Sequence, residues 1–253
     1  MRLSYEYSTS VVFRPSVGRH NILLRCLPAK EDFQQIRSEC FSLSEGFWYK
    51  EGVDGLGNRI ISGGTKERHT SLEYTSCGQV EISTYCIPEP SPHPMFTLPS
   101  QLTMPSKVML TLLPPSSGNF LEDCMNIVHA VCAYVVYTPG VTNMLTTAED
   151  VYRLRQGVCQ DYAHLMIALC RAKGYVARYV CGLMTGEGST HAWVEVHDGH
   201  CWYAFDPTND TAIATGYIKL AHGRDASDCP VSRGMYTGVA EQNTMISVKV
   251  KRI

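Results

Sequence analysis

The sequence predicts an α+β fold, because a β-rich first part is followed by a part in which helical segments precede strands. A proline-rich stretch divides the two parts: eight of the 13 prolines lie between Pro88 and Pro115. Proline fixes φ and lacks a backbone donor, so it is disfavoured inside helices and sheets. We therefore predict an N-terminal β domain at 1–87, a proline-rich linker or arm at 88–115 and a mixed domain at 116–253.

The N-terminal domain is expected to be a small β-sandwich. Its β-rich runs are separated by turn signals such as Asp54-Gly55 and Gly63-Gly64, a pattern typical of several short strands joined by tight turns. The predicted strands are Arg2–Val12, Asn21–Leu27, Arg59–Ser62, Thr70–Thr75 and Gln79–Cys86. No residue of this domain forms a recognisable catalytic motif.

The second domain is expected to begin with helices, because apolar residues recur there at helical spacing. The predicted helices are Phe120–Val136, a short helix capped by Thr146 or Thr147 that runs to Leu154, and Gln160–Lys173. Gly174 follows the last of these, where a helix favours glycine. The strands predicted to follow are Val176–Leu183, His191–His197, Cys201–Phe205 and Met245–Val250.

Composition and charge exclude several classes of partner. The 22 Lys and Arg against 24 Asp and Glu give a net charge of −2, without a basic run, so neither nucleic acid nor an anionic membrane is expected as a partner. The longest strictly apolar stretch, Ala130–Tyr137, is far shorter than the about 20 residues that span a bilayer. The 11 cysteines are odd in number, contain no C-x-x-C pair and follow no secretory signal. We therefore expect free thiols and a cytoplasmic protein.

Cys159 lies at the start of the predicted helix Gln160–Lys173, just after Gly157. The first N–H groups of a helix have no intrahelical partner, and the helix dipole is positive at that end. Both features favour the thiolate form of a cysteine, and the same N–H groups can hold an oxyanion. This position is therefore typical of a nucleophile.

His191 and Asp206 flank a predicted hairpin. Asp198-Gly199 is a strong two-residue turn signal, and if these two residues form the loop, His191 stands directly opposite Asp206. Facing side chains have Cβ atoms about 4.5–5.5 Å apart, which lets a carboxylate orient an imidazole. A cysteine nucleophile, a histidine base and an aspartate that orients it are what acyl transfer requires.

Three segments around these residues strongly resemble the bacterial transglutaminase-like cysteine proteases. They are Gly157–Ala163, His191–Glu195 and Phe205–Asn209, and the later segment His222–Asp225 resembles the same family. The order Cys, His, Asp matches the papain-like and transglutaminase core. Ala226 departs from the pattern, because an aromatic residue is common in the family after Gly-Arg-Asp.

The resemblance implies a catalytic helix packed on an antiparallel sheet and a Cys159–His191–Asp206 triad that needs no cofactor and no metal. Its substrate would be a peptide or protein amide, either a peptide bond or a glutamine side chain. A cysteine peptidase or amidase is expected, with a crosslinking transglutaminase as the alternative. The Cys159 N–H would supply one oxyanion donor, and the second donor is unassigned.

Two further residues are candidates for substrate binding. Trp193 lies between His191 and Glu195 on one strand face and would line the groove, with a packed core tryptophan as the alternative. Asp161 would contact substrate, with helix capping as the alternative.

Two functions of other classes stay open at this point. His191, His197, His200 and Cys201 cluster in the sequence and could bind a metal. A non-catalytic binding module on the same fold is the second alternative, which an inert Cys159 would support.

Overall fold

The computed structural model describes residues 1–253 as two antiparallel sheets, three α-helices and several short elements, which confirms the α+β class. The helices are α1 (Phe120–Tyr134), α2 (Ala148–Leu154) and α3 (Cys159–Ala172). No helix is both long and apolar enough to cross a membrane.

The first sheet has eight strands built around one long strand. Its strands are β1 (Arg2–Leu24), β2 (Gln34–Leu43), β3 (Trp48–Val53), β4 (Arg59–Thr65), β5 (His69–Ile82), β10 (Gly186–Gly188), β15 (Ser232–Thr237) and β16 (Glu241–Arg252). The first half of β1 pairs with β5 and β16, and its second half pairs with β4 and β15. The register shift between Val12 and Val17 marks the change of partner and curls the sheet.

The second sheet carries the predicted motifs. Its strands are β6 (Ile87–Pro88), β9 (Val176–Met184), β11 (His191–His197), β12 (Cys201–Asp206), β13 (Thr211–Ile213) and β14 (Tyr217–Gly223). The order is β13-β12-β11-β9-β14, with β6 pairing to β12. A separate parallel pair, β7 (Val136–Tyr137) and β8 (Gln156–Gly157), leads into α3.

Both faces of the second sheet are covered. Side chains such as Ala192 and Val194 pack on the helices in one core. Trp193, Trp202 and Leu220, on the opposite face, pack on the first sheet in a second core. Alternate residues of β11 therefore belong to different cores, as the two-residue period of a strand requires.

The structure differs from the predicted division of the chain at its C-terminal end. The strands β15 and β16 return to the first sheet and pair with β1 along most of its length, so the first sheet is not built from residues 1–87 alone. The proline-rich stretch forms three short 3₁₀ helices, Pro94–Thr97, Gln101–Thr103 and Met109–Leu112. It packs as an arm, because the Arg171 guanidinium donates to the Phe96 carbonyl and to Thr103 Oγ1.

A buried carboxylate links the two sheets. Glu195 on β11 is fully buried and pairs with Arg178 on β9 and with Lys219 on β14, whose Nζ lies 3.0 Å from Oε1. The Tyr85 hydroxyl, from the segment after β5, donates to the same carboxylate at 2.5 Å. Burial alone would raise the pKa of Glu195, but the two cations and this hydrogen bond lower it to about 2. The carboxylate therefore stays charged and ties three strands of the second sheet to the segment that follows β5.

Removing this carboxylate should strongly destabilise the fold. Glu195→Ala leaves Arg178 and Lys219 without their shared partner, so urea denaturation should show a loss of about 3–5 kcal/mol. Because folding lowers the pKa of Glu195, this residue stabilises the fold fully above its ordinary pKa of 4.5. Its contribution to the free energy of unfolding is lost as the pH falls toward 2. The acid-induced loss of stability should be smaller in the variant.

The control is Glu187→Ala, which removes an exposed ion pair with Lys249 and should change the free energy of unfolding little. Equal effects of both substitutions would contradict a special role for Glu195.

Candidate active site

Cys159 is the first residue of α3, one position earlier than the predicted helix start. Asp161 holds this end of the helix: its Oδ2 accepts the Val158 N–H at 2.7 Å and the Thr142 hydroxyl at 2.7 Å. Gly157 is required beside it, because a Cβ at 157 would lie 2.6 Å from the Asp161 Cβ. The turn before the helix is therefore fixed around the backbone of Cys159.

His191 begins β11, as predicted, but the hairpin register differs from the predicted one. Val194 faces Phe205, and the Asp198 N–H donates to the Cys201 carbonyl at 3.1 Å, so Gly199 and His200 form the loop instead of Asp198 and Gly199. The cause is the Asp198 carboxylate, which accepts the His200 and Cys201 N–H groups at 2.7 and 2.8 Å.

The register shift leaves the predicted pair in place. Since the partner of each residue moves by two positions, every side chain keeps its face of the sheet. Asp206 therefore lies diagonally from His191, and the His191 Nε2 is 2.7 Å from Asp206 Oδ2. The structure thus brings the two residues into contact as a diagonal pair instead of the predicted facing pair.

Asp206 is fully buried and accepts five hydrogen bonds. Besides His191, the Asn209 amide and the Tyr217 hydroxyl donate to Oδ2 at 2.7 and 2.8 Å, and the Thr208 and Asn209 N–H groups donate to Oδ1. Sequence reasoning missed Asn209 and Tyr217 as supports of the site. Asn209 belongs to the recognised segment Phe205–Asn209, but Tyr217 lies on a strand that the sequence did not reveal.

The charges of this pair favour an imidazolium. Burial lowers the pKa of His191, but its hydrogen bonds to Asp206 and to the Cys159 thiol outweigh burial and raise it to about 9. Burial also raises the pKa of Asp206, and the hydrogen bonds from His191, Asn209 and Tyr217 bring it below its ordinary value. At neutral pH the site therefore holds a protonated histidine between the Asp206 carboxylate and the Cys159 sulfur.

Cys159 and His191 open into one cavity of about 260 Å³. Cys159 is half-buried, and the His191 ring is mostly buried, with 10% of its side chain exposed. With Nε2 on Asp206, the other ring nitrogen of His191, Nδ1, is left for the thiol. Tyr179, from β9, also lines this cavity.

The two substrate-binding candidates lie elsewhere. Trp193 is fully buried between the two sheets, its indole N–H donates to the Tyr85 hydroxyl at 3.2 Å, and its ring occupies the space that a Cβ at Gly182 would take. Asp161 is also fully buried at the start of α3. Their burial favours the alternatives, a core tryptophan and a helix cap, over contact with substrate.

The histidines of the metal-site alternative have separate partners. His197 Nε2 donates to the Glu89 carbonyl at 2.7 Å, and its Nδ1 accepts the Gly199 N–H at 3.0 Å. His191 is engaged with Asp206. No group of three or more His, Cys, Asp or Glu side chains is arranged to hold a metal ion.

A cysteine at a helix start thus lies near a histidine and an aspartate on an antiparallel sheet, in the order that the motif resemblance describes. Comparison with known proteins identifies the family. The model of the transglutaminase-like superfamily matches residues 115–207. A Mycobacterium tuberculosis protein is 31% identical over 244 aligned residues, which cover 78% of this chain and 74% of the relative.

A Mycobacterium leprae protein is 35% identical over 127 residues, which cover 46% of this chain and only 45% of that relative. Among solved structures, a Cytophaga hutchinsonii protein described as a candidate cysteine protease superposes with a TM-score of 0.79 and 24% identity, covering 100% of this chain and 92% of the other. The chain belongs to the transglutaminase-like superfamily, as the resemblance of its motifs predicted.

Cys159 should be the thiol that iodoacetamide modifies first at neutral pH, because an imidazolium beside a sulfur favours the reactive thiolate. Asp206→Asn removes the charge that helps to raise the pKa of His191, so less imidazolium remains at pH 7. Labelling of Cys159 should then be slower than in the wild type. Exposed Cys40 serves as the internal control in peptide mapping and should keep its rate. Uniform labelling of all cysteines, or an unchanged rate at Cys159 in the variant, would contradict this geometry.

Proposed function

We propose that this chain is a thiol acyl-transfer enzyme that acts as a cysteine peptidase or amidase on peptide or glutamine-type amide bonds. The observation that carries the proposal is the buried Asp206 bound to His191, whose other nitrogen is left for Cys159 at the start of α3. The fold shared with the Cytophaga hutchinsonii protein described as a candidate cysteine protease supports it.

The proposed reaction has two halves. The Cys159 sulfur attacks the amide carbonyl carbon and forms the C–S bond, while His191 delivers its proton to the leaving nitrogen as the C–N bond breaks. Water then attacks the thioester, His191 takes its proton, and the Cys159 thiolate leaves. Asp206 keeps the imidazole oriented and stabilises its charged form in both halves. A primary amine in place of water would give the crosslinking reaction instead.

Trapping the thioester tests this function. The protein is mixed with a peptide 7-amino-4-methylcoumarin amide or a glutamine-containing peptide, quenched in acid within seconds and measured by intact mass. We expect an acyl adduct on Cys159, absent in Cys159→Ala with the same melting temperature. Adding a primary amine to the reaction shows whether water or the amine accepts the acyl group. Absence of an adduct and of turnover for a folded protein with all donors would overturn the proposal.

We propose Tyr179 as the second oxyanion donor. Its side chain is only 5% exposed, lines the cavity of Cys159 and makes no hydrogen bond within the protein. Burial raises its pKa well above the ordinary value, as do the nearby Cys181 and Cys159 thiols, so the hydroxyl keeps its proton at neutral pH. A hydroxyl that lines the cavity of the nucleophile and has no partner within the protein is available to a developing oxyanion.

Tyr179→Phe separates this role from a structural one. Acylation by a peptide coumarin amide should fall about 10²–10³-fold, the usual loss for one oxyanion donor. Iodoacetamide alkylation of Cys159 forms no oxyanion and should keep its rate, and the melting temperature should not fall because no protein hydrogen bond is lost. The matched control is Tyr162→Phe on α3, whose hydroxyl donates to the Val135 carbonyl at 2.6 Å. Tyr162→Phe should lower the melting temperature, with a smaller effect on the acylation rate. An unchanged acylation rate in Tyr179→Phe would exclude Tyr179 as the donor.

A further inference from the structure

The cavity beside Cys159 has an apolar inner part. Its inner wall, named here the Cys181 recess, consists of Cys181, Ala192, Ala226, Cys229 and Val231. The first four of these are at most 6% exposed. The more open lining residues include Met144, Gln160 and Ser232. The cavity therefore has an open mouth and a buried apolar end.

No Lys, Arg, Asp or Glu side chain lines the cavity, and His191 is the one titratable nitrogen base in it. A charged side chain placed in the recess would lose its hydration without gaining a partner, which is strongly unfavourable. An apolar side chain would gain from leaving water there. The chemistry of the wall therefore selects an uncharged, apolar group.

The recess is also preformed, because three contacts within the protein hold its wall. The Ala226 N–H donates to His164 Nε2 at 3.1 Å, and the Cys181 thiol donates to the Cys229 carbonyl at 3.3 Å. Arg224 and Asp228 pair across the same turn at 2.8 Å. A preformed wall binds a side chain without an ordering cost.

The size of the space limits the occupant. A volume of about 260 Å³ lies below the about 300–1,000 Å³ of sites for whole small-molecule ligands. It suits one large side chain while the rest of the substrate lies across the mouth. Ala226 keeps the recess open, and it is the position at which the motif resemblance predicts an aromatic residue.

We infer that the Cys181 recess receives one apolar side chain, of about leucine to phenylalanine size, from the acyl part of the substrate. The inference rests on the proposed function and specifies its substrate class. The acyl part stays covalently attached to Cys159 after the amine leaves, so the recess also holds the thioester in place while the acceptor attacks.

Substrate profiling tests the inference. The donors are the coumarin amides Ac-X-Ala and Ac-Ala-X, with X as Gly, Ala, Leu, Phe, Gln, Asp or Lys, and kcat/KM is measured for each. At one of the two positions Leu or Phe should exceed Asp and Lys by at least about tenfold, the size of effect that a hydrophobic pocket produces. A flat profile, or a preference for Gln or a charged residue, would overturn the inference and leave the proposed function standing.

Variants then locate the preference. Ala226→Phe fills the recess and should remove the advantage of Leu and Phe over Ala at the preferred position. Ala226→Val is a smaller change and should reduce the advantage of Phe more than that of Leu. This variant replaces Ala226→Phe in the test if the larger substitution lowers the melting temperature. Ala212→Phe makes the same change at an exposed position of β13 and should keep the wild-type profile. A wild-type profile in a folded Ala226→Phe would show that the preference arises elsewhere. Failure of every donor to form a thioester would contradict the proposed function and the inference together.

Discussion

The second sheet depends on the buried charge of Glu195. A carboxylate without access to water has to lie where cations can reach it, and here Arg178 and Lys219 come from β9 and β14, two neighbouring strands on one side of β11. These ion pairs hold the three strands together in the observed register. His191 lies four residues before Glu195 on the same strand, so the network that holds these strands also supports the strand that carries the site.

The candidate active site also depends on a buried carboxylate, that of Asp206. Asp206 is held by five donors, from His191 on β11, from Thr208 and Asn209 after β12, and from Tyr217 on β14, so the position of the imidazole is a property of the sheet. Cys159 belongs to the helical layer and is fixed by the cap at Asp161. The packing of α3 on the sheet thus sets how the sulfur meets the imidazole, and a substitution between these layers can disturb the site without touching it.

The sequence predicted the parts of the molecule where local pattern and burial agree. The helix at Cys159, the strand His191–His197 and the pairing of His191 with Asp206 follow from periodicity, turn chemistry and motif. Strands β2 and β3 were not predicted from the sequence, because their residues are mostly exposed and show no alternation of burial. The hairpin register was wrong because the Asp198 carboxylate binds the loop N–H groups, a tertiary detail that a dipeptide signal does not contain. Tyr217 could not be found, since only the folded sheet brings it to Asp206.

The first sheet is part of the construction of the site. The strand β10 pairs with β16 and ends three residues before His191, so the chain that enters the histidine strand is held by the first sheet. Val231 and Ser232 line the cavity at the point where β15 begins, and β15 pairs with β1. One wall of the cavity beside Cys159 is therefore anchored in the second half of β1, where Leu24 pairs with Ser232. The packing of the first sheet thus helps to set the shape of this cavity.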